Sequence, residues 1–347
     1  MNISEKADRK SRRFYYIKLC IFLSGLSVFA QLYLFQPLLP MVAEHFHKTV
    51  GDSSLLVSSS TIGMALGLFF FAFRADSFSR KKLMVFSLIV SAILTIISTW
   101  IPSLPLLIII GMVKGFVISG VSSVALAYLT EEVEISVVAL AISMYLSGNT
   151  IGGMSGRILA TLLAGEFGWR NAVLMIGIQS LILGLVFWRL FPDSKFFKPQ
   201  KTDYHLKMKQ MKRLIRDSYI LRLYFIAALL MGTFVSVYNY MTFRLESEPF
   251  SLSHVFIAFI FLMYTFGVLG TMITSRLSAR FEKKYILKGS SATSIYWLFY
   301  YFGSSFLGSG TGYLLHSTSW NIFIGVLISV IMIAFALTIE HKSLKTE

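Results

Sequence analysis

Long, uninterrupted apolar runs constrain this chain more than any other feature. A helix needs about 20 mostly apolar residues to cross the hydrocarbon of a bilayer. The sequence offers ten such runs, at roughly 19–41, 54–73, 83–101, 106–129, 137–163, 171–190, 221–243, 253–275, 292–315 and 320–339. The runs are continuous, whereas a membrane barrel would alternate apolar and polar residues one by one. Backbone polar groups in lipid must be satisfied within the segment, which leaves helices as the expected structure. The chain is therefore read as an all-α polytopic membrane protein, with 55% of its residues apolar and only 14% charged.

The net charge of +15 raises the question of nucleic acid, and its distribution answers it. With the N-terminus placed in the cytoplasm, 26 of the 32 Lys and Arg residues fall in segments expected to be cytoplasmic. Only Lys48, Arg170 and Arg244 fall in the outer loops, and Lys18, Lys114 and Arg157 lie within or beside apolar runs. This is the positive-inside bias, so the charge reports orientation and contact with anionic lipid headgroups at the cytoplasmic face. No nucleic-acid partner is expected, and both termini are expected in the cytoplasm. The single cysteine, Cys20, excludes an internal disulfide. The first apolar run is too long for a signal peptide and lacks a small-residue cleavage site, so it reads as a retained helix.

Six runs precede the longest polar segment, 191–219, and four follow it. In that segment Met208, Met211, Ile215 and Tyr219 recur at helical spacing among lysines and arginines. That suits either a short helix on the membrane surface or a solvated linker. The two parts of the chain also resemble each other. "SFSRKKL" (77–83) and "RFEKKYI" (280–286) match at an offset of 203, and "YLSGNTIGGMSG" (145–156) and "YYFGSSFLGSGT" (300–311) at an offset of 155. The difference, 203 − 155 = 48, is close to the 47 residues of 83–129, the third and fourth runs. The second part is therefore expected to lack one helical hairpin, its join lying near "FEKKYILKGSSATS" (281–294).

This plan, with two six-helix halves joined by a long basic loop, resembles the major facilitator superfamily. "ADSFSRKK" (75–82) is similar to that family's loop signature at Asp76, Arg80 and Lys81, and departs from it at Ala72, Ser77 and Ser79. "GNTIGGMSGR" (148–157) resembles the helix-5 signature of proton-coupled exporters at Gly148, Gly152 and Gly156, with Gly153 and Arg157 replacing a Pro and a Gly. "QPLLP" (36–40), "ALAYLTEE" (125–132), "GEFGWR" (165–170) and "YYFGSS" (300–305) resemble the YnfM-like branch of bacterial inner-membrane exporters. The resemblance implies a two-bundle fold with ten membrane helices, six plus four. Residues 1–190 would form the N-terminal bundle, 191–219 a basic cytoplasmic loop, and 220–347 a shortened bundle holding family helices 7, 8, 11 and 12.

The implied function is secondary transport by alternating access: proton-coupled efflux of a small amphipathic or sugar-like molecule across the bacterial inner membrane, by a monomer. The alternative is a folded but transport-deficient chain, or a membrane binding or assembly partner, because one helix of the absent hairpin lines the family's cavity. By resemblance Asp76 faces the start of the opposite bundle's fifth helix, at about Ser290 to Ser294, unless the motif is only an orientation signal. The helix-5 glycines permit close helix contact.

An intramembrane charge is costly and usually faces a cavity or a partner. Lys114 lies about 12 Å from the outer end of its helix, taking 1.5 Å per residue, one turn beyond the family's arginine position. Arg157 either acts there or snorkels to the interface. No Asp or Glu lies deep in any of the ten runs. A coupled proton would then fall to Lys114 or to the helix-end carboxylates Asp76, Glu131 and Glu132. The expected cavity set is Gln31, Tyr33, Asn149, Tyr238, Asn239 and Tyr240, the alternative being ordinary hydrogen bonds between helices. His45 and His47 lack further metal ligands, and no phosphate loop, nucleophile elbow or zinc spacing occurs. Neither an enzyme nor a bound cofactor or metal is expected.

Overall fold

A computed structural model describes residues 6–197, 204–263 and 290–343, which form helices joined by short turns, with one bridge between Ala7 and Val133. In chain order the helices are α1 (Arg12–Tyr33), α2 (Leu39–His45), α3 (Val50–Arg74), α4 (Arg80–Ile97), α5 (Leu104–Glu132), α6 (Ile135–Leu190), α7 (Tyr204–Arg216), α8 (Ser218–Glu246), α9 (His254–Phe261), α10 (Ser290–Ser317) and α11 (Trp320–Ser343). Among the described residues, seven helical segments are long and apolar enough to cross a membrane. The expected join at 281–289 and the second part of the 253–275 run lie outside the described residues.

Local chemistry sets the helix ends. Ser11 caps α1 by accepting from the Phe14 amide, and Thr49 and Asp52 form a reciprocal capping box on α3. Asp217 accepts from the amides of Tyr219 and Ile220 and so starts α8. The first membrane helix begins at Arg12, seven residues before its apolar run, because Ser11 caps it there and the Lys18 ammonium rests over the Phe14 ring at 5.1 Å. It ends at Tyr33, ahead of Pro37 and Pro40, which disfavour helix in the residues before them. The runs 137–163 and 171–190 form two helices, here labelled together as α6, that are separated at Gly168. There φ is +79° and ψ 159°, a conformation that only glycine adopts without strain.

α1 packs along the first part of α6, α3 along α5, and α4 between α5 and α6. In the later part of the chain α8 packs on α10, and α11 on α8. The groups meet mainly through α3 against α10 and α6 against α9, with smaller contacts of α2 and α3 on α8. The tight crossings have the same construction. A Cβ on Gly152 would meet Leu26 Cα at 2.6 Å, and one on Gly303 would meet Ala228 Cα at 2.5 Å, so each crossing depends on a bare backbone. Thus α8 meets α10 as α1 meets α6, and the internal repeat aligns Gly303 with Gly148, where an added carbon would lie 2.2 Å from the Phe22 carbonyl oxygen. The final helix is the least enclosed span, with 17% of its most apolar window buried against 33–67% for the other six.

The central segment forms α7, but its buried face differs from the expected stripe. Met211 is buried against Phe73, Tyr224 and Ile295, with Leu214 beside it, while Met208 and Ile215 stay exposed at 40% and 44%. α7 therefore touches both helical groups. Gly152→Val should lower the melting temperature of the detergent-solubilised protein, because overpacking a tight contact costs about 1–3 kcal/mol. Gly310→Ala, with nothing within 4 Å of the added carbon, should leave that temperature unchanged or slightly raised.

Candidate functional site

The two helical groups meet through polar chains that their sequence positions alone do not join. α1 runs away from the end of the bundle that holds the N-terminus, here called the near end, toward a far end where α6 breaks at Gly168. In the far part of the interface Arg157 of α6 is 1% exposed. Its Nε donates to Gln36 Oε1 at 2.6 Å and its Nη1 to the Gly153 carbonyl at 2.5 Å. The guanidinium carbon lies 4.4 Å from the ring centre of Tyr33 and 5.0 Å from that of Tyr238, so one aromatic face comes from each group.

The chain continues in a forced direction. Because Gln36 Oε1 accepts from a cation, its Nε2 must serve as the donor on the other side. It donates to Asn239 Oδ1 at 2.9 Å, and Asn239 Nδ2 then donates to the Gly308 carbonyl at 3.3 Å. The charge on Arg157 is thus carried through two fully buried amides into α8 and α10. A second polar seam joins α3 to α10. Ser58 Oγ donates to the Ser305 carbonyl at 3.1 Å, Ser309 Oγ donates to Ser58 Oγ at 2.6 Å, and the Thr61 and Ser305 hydroxyls share a bond of 2.6 Å. At its far edge the Tyr313 hydroxyl donates to Asp52 at 3.3 Å.

The expected cavity residues separate into four environments. Tyr33, Tyr238 and Asn239 surround Arg157, together with Gln36, which sits in the quoted "QPLLP" without having been singled out. Gln31 lies inside the first group. Its Oε1 accepts from Thr95 at 2.9 Å, its Nε2 donates to Ser27 Oγ at 3.2 Å, and its backbone carbonyl accepts from Lys114 Nζ at 3.1 Å. Lys114 is 2% exposed, with its ammonium 5.2 Å from the Phe35 ring centre, and among the described residues no carboxylate forms an ion pair with it. Tyr240 bonds the Gly308 carbonyl through its hydroxyl and packs edge-on to Phe323, a contact between helices. Asn149 alone of the set borders the cleft between the groups, which is also lined by Phe29, Leu68, Tyr145, Trp297 and Tyr301.

The near end carries a separate ionic cluster. Arg80, buried, donates to Asp76 at 3.1 Å and to Glu131 at 2.8 and 3.3 Å, and stacks 4.7 Å from the Phe197 ring centre. Lys81 pairs with Asp193 at 3.2 Å, and Arg13 with the buried Glu132, which also accepts from the Phe196 amide at 2.8 Å. These contacts lie within the first helical group and the residues just after it. The side chains of Ser290–Ser294, where the opposing partner of Asp76 is expected, lie outside the described residues. Gly148, Gly152 and Gly156 face the α1 backbone at Phe22, Leu26 and Ala30.

Comparison with known proteins adds three findings. Residues 21–345 match the family model described as Major Facilitator Superfamily. The chain is 30% identical, over 391 aligned positions covering 98% of it and 94% of the relative, to an uncharacterized transporter of Buchnera aphidicola subsp. Schizaphis graminum. It is 31% identical to the inner membrane transport protein YnfM of Escherichia coli K12, covering 94% of this chain and 90% of that one. An alignment of 391 positions against a chain of 347 leaves at least 44 (391 − 347) to the Buchnera protein alone. Among solved structures, a bacterial homolog of the human lysosomal transporter Spinster in an inward-facing, unoccupied conformation superposes with a TM-score of 0.67. It is 16% identical, covering 94% of this chain and 81% of that one.

Arg157→Lys keeps the charge but loses the planar fork that bonds Gln36 and stacks between two tyrosines. It should destabilise the protein by about 1.5–3 kcal/mol, the range for a hydrogen bond to a charged group, measured by reversible unfolding in mixed micelles. In a double-mutant cycle Arg157→Leu and Asn239→Leu should couple by at least about 0.5 kcal/mol although the two side chains bond only through Gln36.

Proposed function

The chain belongs to the major facilitator superfamily, and from that premise we propose that it is a secondary transporter of the bacterial inner membrane. It spans that membrane with ten helices, both termini in the cytoplasm, and moves a small amphipathic molecule by rocking its two helical groups. The observation that carries this reading is the interface itself. It is closed toward the far end by a discrete set of side chains around Arg157 and contains a cleft lined from both groups. Hydroxyls and amides hold the groups together there, and such contacts can be exchanged for water one by one as an interface opens. Efflux in exchange for protons is the direction and coupling favoured by the helix-5 glycines. Lys114 is the candidate proton carrier, being a buried amine bonded to the Gln31 carbonyl and without a carboxylate partner among the described residues.

A second reading rests on the shortened chain. Relatives carry at least 44 positions that this one lacks, and the final helix is the least buried span. Loss of a hairpin beside the cavity would leave a folded protein that binds but does not seal. Reconstitution into vesicles loaded with a pH-sensitive dye separates the two readings. If the chain transports, members of a solute panel should collapse an imposed pH gradient, and Lys114→Ala should abolish that effect. If solutes act only after a 48-residue hairpin from a relative is inserted near residue 289, the chain as it stands does not transport.

A further inference from the structure

The cleft between the helical groups has two chemically different walls. On the α10 side Trp297 and Tyr301 stand with ring centres 5.9 Å apart and planes 24° from parallel, which makes a flat aromatic surface. On the opposite side Ser122 of α5 and Tyr145 and Asn149 of α6 form a small polar strip. Phe29 and other apolar side chains close the remainder, and among the described residues no charged one lines the cleft. Its free volume is about 40 Å³, room for a few waters, so a ring-sized solute enters only as the two groups part.

The polar strip has unspent hydrogen-bonding capacity. Tyr145 donates its hydroxyl to Ser122 Oγ at 3.1 Å, which leaves the Ser122 proton with no acceptor among the described residues. The Asn149 amide bonds the Tyr145 hydroxyl through its nitrogen, and its Oδ1 is buried beside Gly25 without a donor. A buried acceptor left unmade costs about 1–3 kcal/mol, and a solute N–H that meets the turned amide would relieve it. An ion would find no counter-charge: Arg157 is held by Gln36 and Gly153, and Lys114 donates to the Gln31 carbonyl inside the first group.

We propose that this cleft binds a flat, uncharged aromatic solute with an amide-like polar edge, stacked on Trp297 and hydrogen-bonded to Ser122 and Asn149. The inference rests on the transporter reading for its physiological meaning, but the binding it describes requires only that the groups part, not that the solute crosses the membrane. An aromatic wall alone would accept any planar ring. The neutral strip opposite it selects against carboxylates and amines, which would have to shed their hydration with no opposite charge to meet.

The test is equilibrium binding of tritiated 2-naphthamide to the full chain in lipid nanodiscs, with 2-naphthoate and 2-naphthylmethylamine as competitors of the same shape. Partition into lipid is subtracted with excess unlabelled amide. Saturable binding is expected, with each charged analogue competing at least 10-fold more weakly. Asn149→Leu and Ser122→Ala should together weaken binding at least 10-fold. Trp297→Ala should weaken it several-fold more than Trp297→Phe, which keeps a ring and guards against misfolding as the cause. Absence of saturable binding, equal or tighter binding of a charged analogue, or indifference to the Asn149→Leu and Ser122→Ala pair would overturn the proposal. Binding without movement in vesicles would leave it standing and count against transport. Transport of charged solutes without naphthamide binding would do the reverse.

Discussion

Burial of the Arg157 guanidinium between two helical groups is the constraint on which the interface depends. A charge at this depth in a membrane protein is expensive unless polar groups or aromatic faces compensate it. Here one edge meets Gln36, another the carbonyl of its own helix one turn back, and its carbon approaches two tyrosine rings. Gln36 can satisfy the cation only by presenting its oxygen, which commits its nitrogen to Asn239 and the nitrogen of Asn239 to α10. A single buried cation therefore fixes the orientation of two amides and ties three helices together. The α3–α10 serine seam is made of weaker neutral bonds, and the cleft lies where the two groups meet.

The fold was largely legible because lipid imposes a simple requirement. Helix positions followed from run length, with Gly168 separating the two runs of α6, and the departures have local causes: the Ser11 cap lengthened α1, and Pro37 and Pro40 ended it. The glycine repeat correctly pointed to close contacts, since Gly152 and Gly303 both sit at helix crossings. The site was only partly legible. Tyr33, Tyr238 and Asn239 stood out as polar groups in apolar runs, but their common partner Gln36 lies beside a proline just past α1, where a polar residue signals only a loop. Whether Arg157 reached the interface or bonded inward could not be decided from its distance to the helix end. Trp297 and Tyr301 carried no signal at all, because aromatic residues in a membrane helix are ordinary and only tertiary packing aims them at a cleft.

The later part of the chain repeats the construction of the earlier part with less material. α8 and α10 cross as α1 and α6 do, and the largest contacts across the interface are α3 with α10 and α9 with α6. α4 and α5 enclose much of the first group, and no helix in the described residues does the same for α11. Among the described residues the contacts between the two groups are extensive, and α11 is the least enclosed span.

The central claim is that the buried Arg157 chain holds the far end closed. The most direct test is a distance distribution between spin labels at Lys48 and Ser247, exposed positions in the two groups at that end, measured by double electron–electron resonance in nanodiscs. With Cys20 replaced by serine and Arg157 intact, one narrow distribution is expected. In Gln36→Leu, which severs the chain while leaving both groups folded, the distribution should broaden and shift to longer distance. An unchanged distribution in Gln36→Leu would contradict the account and show that the far end is held by packing alone.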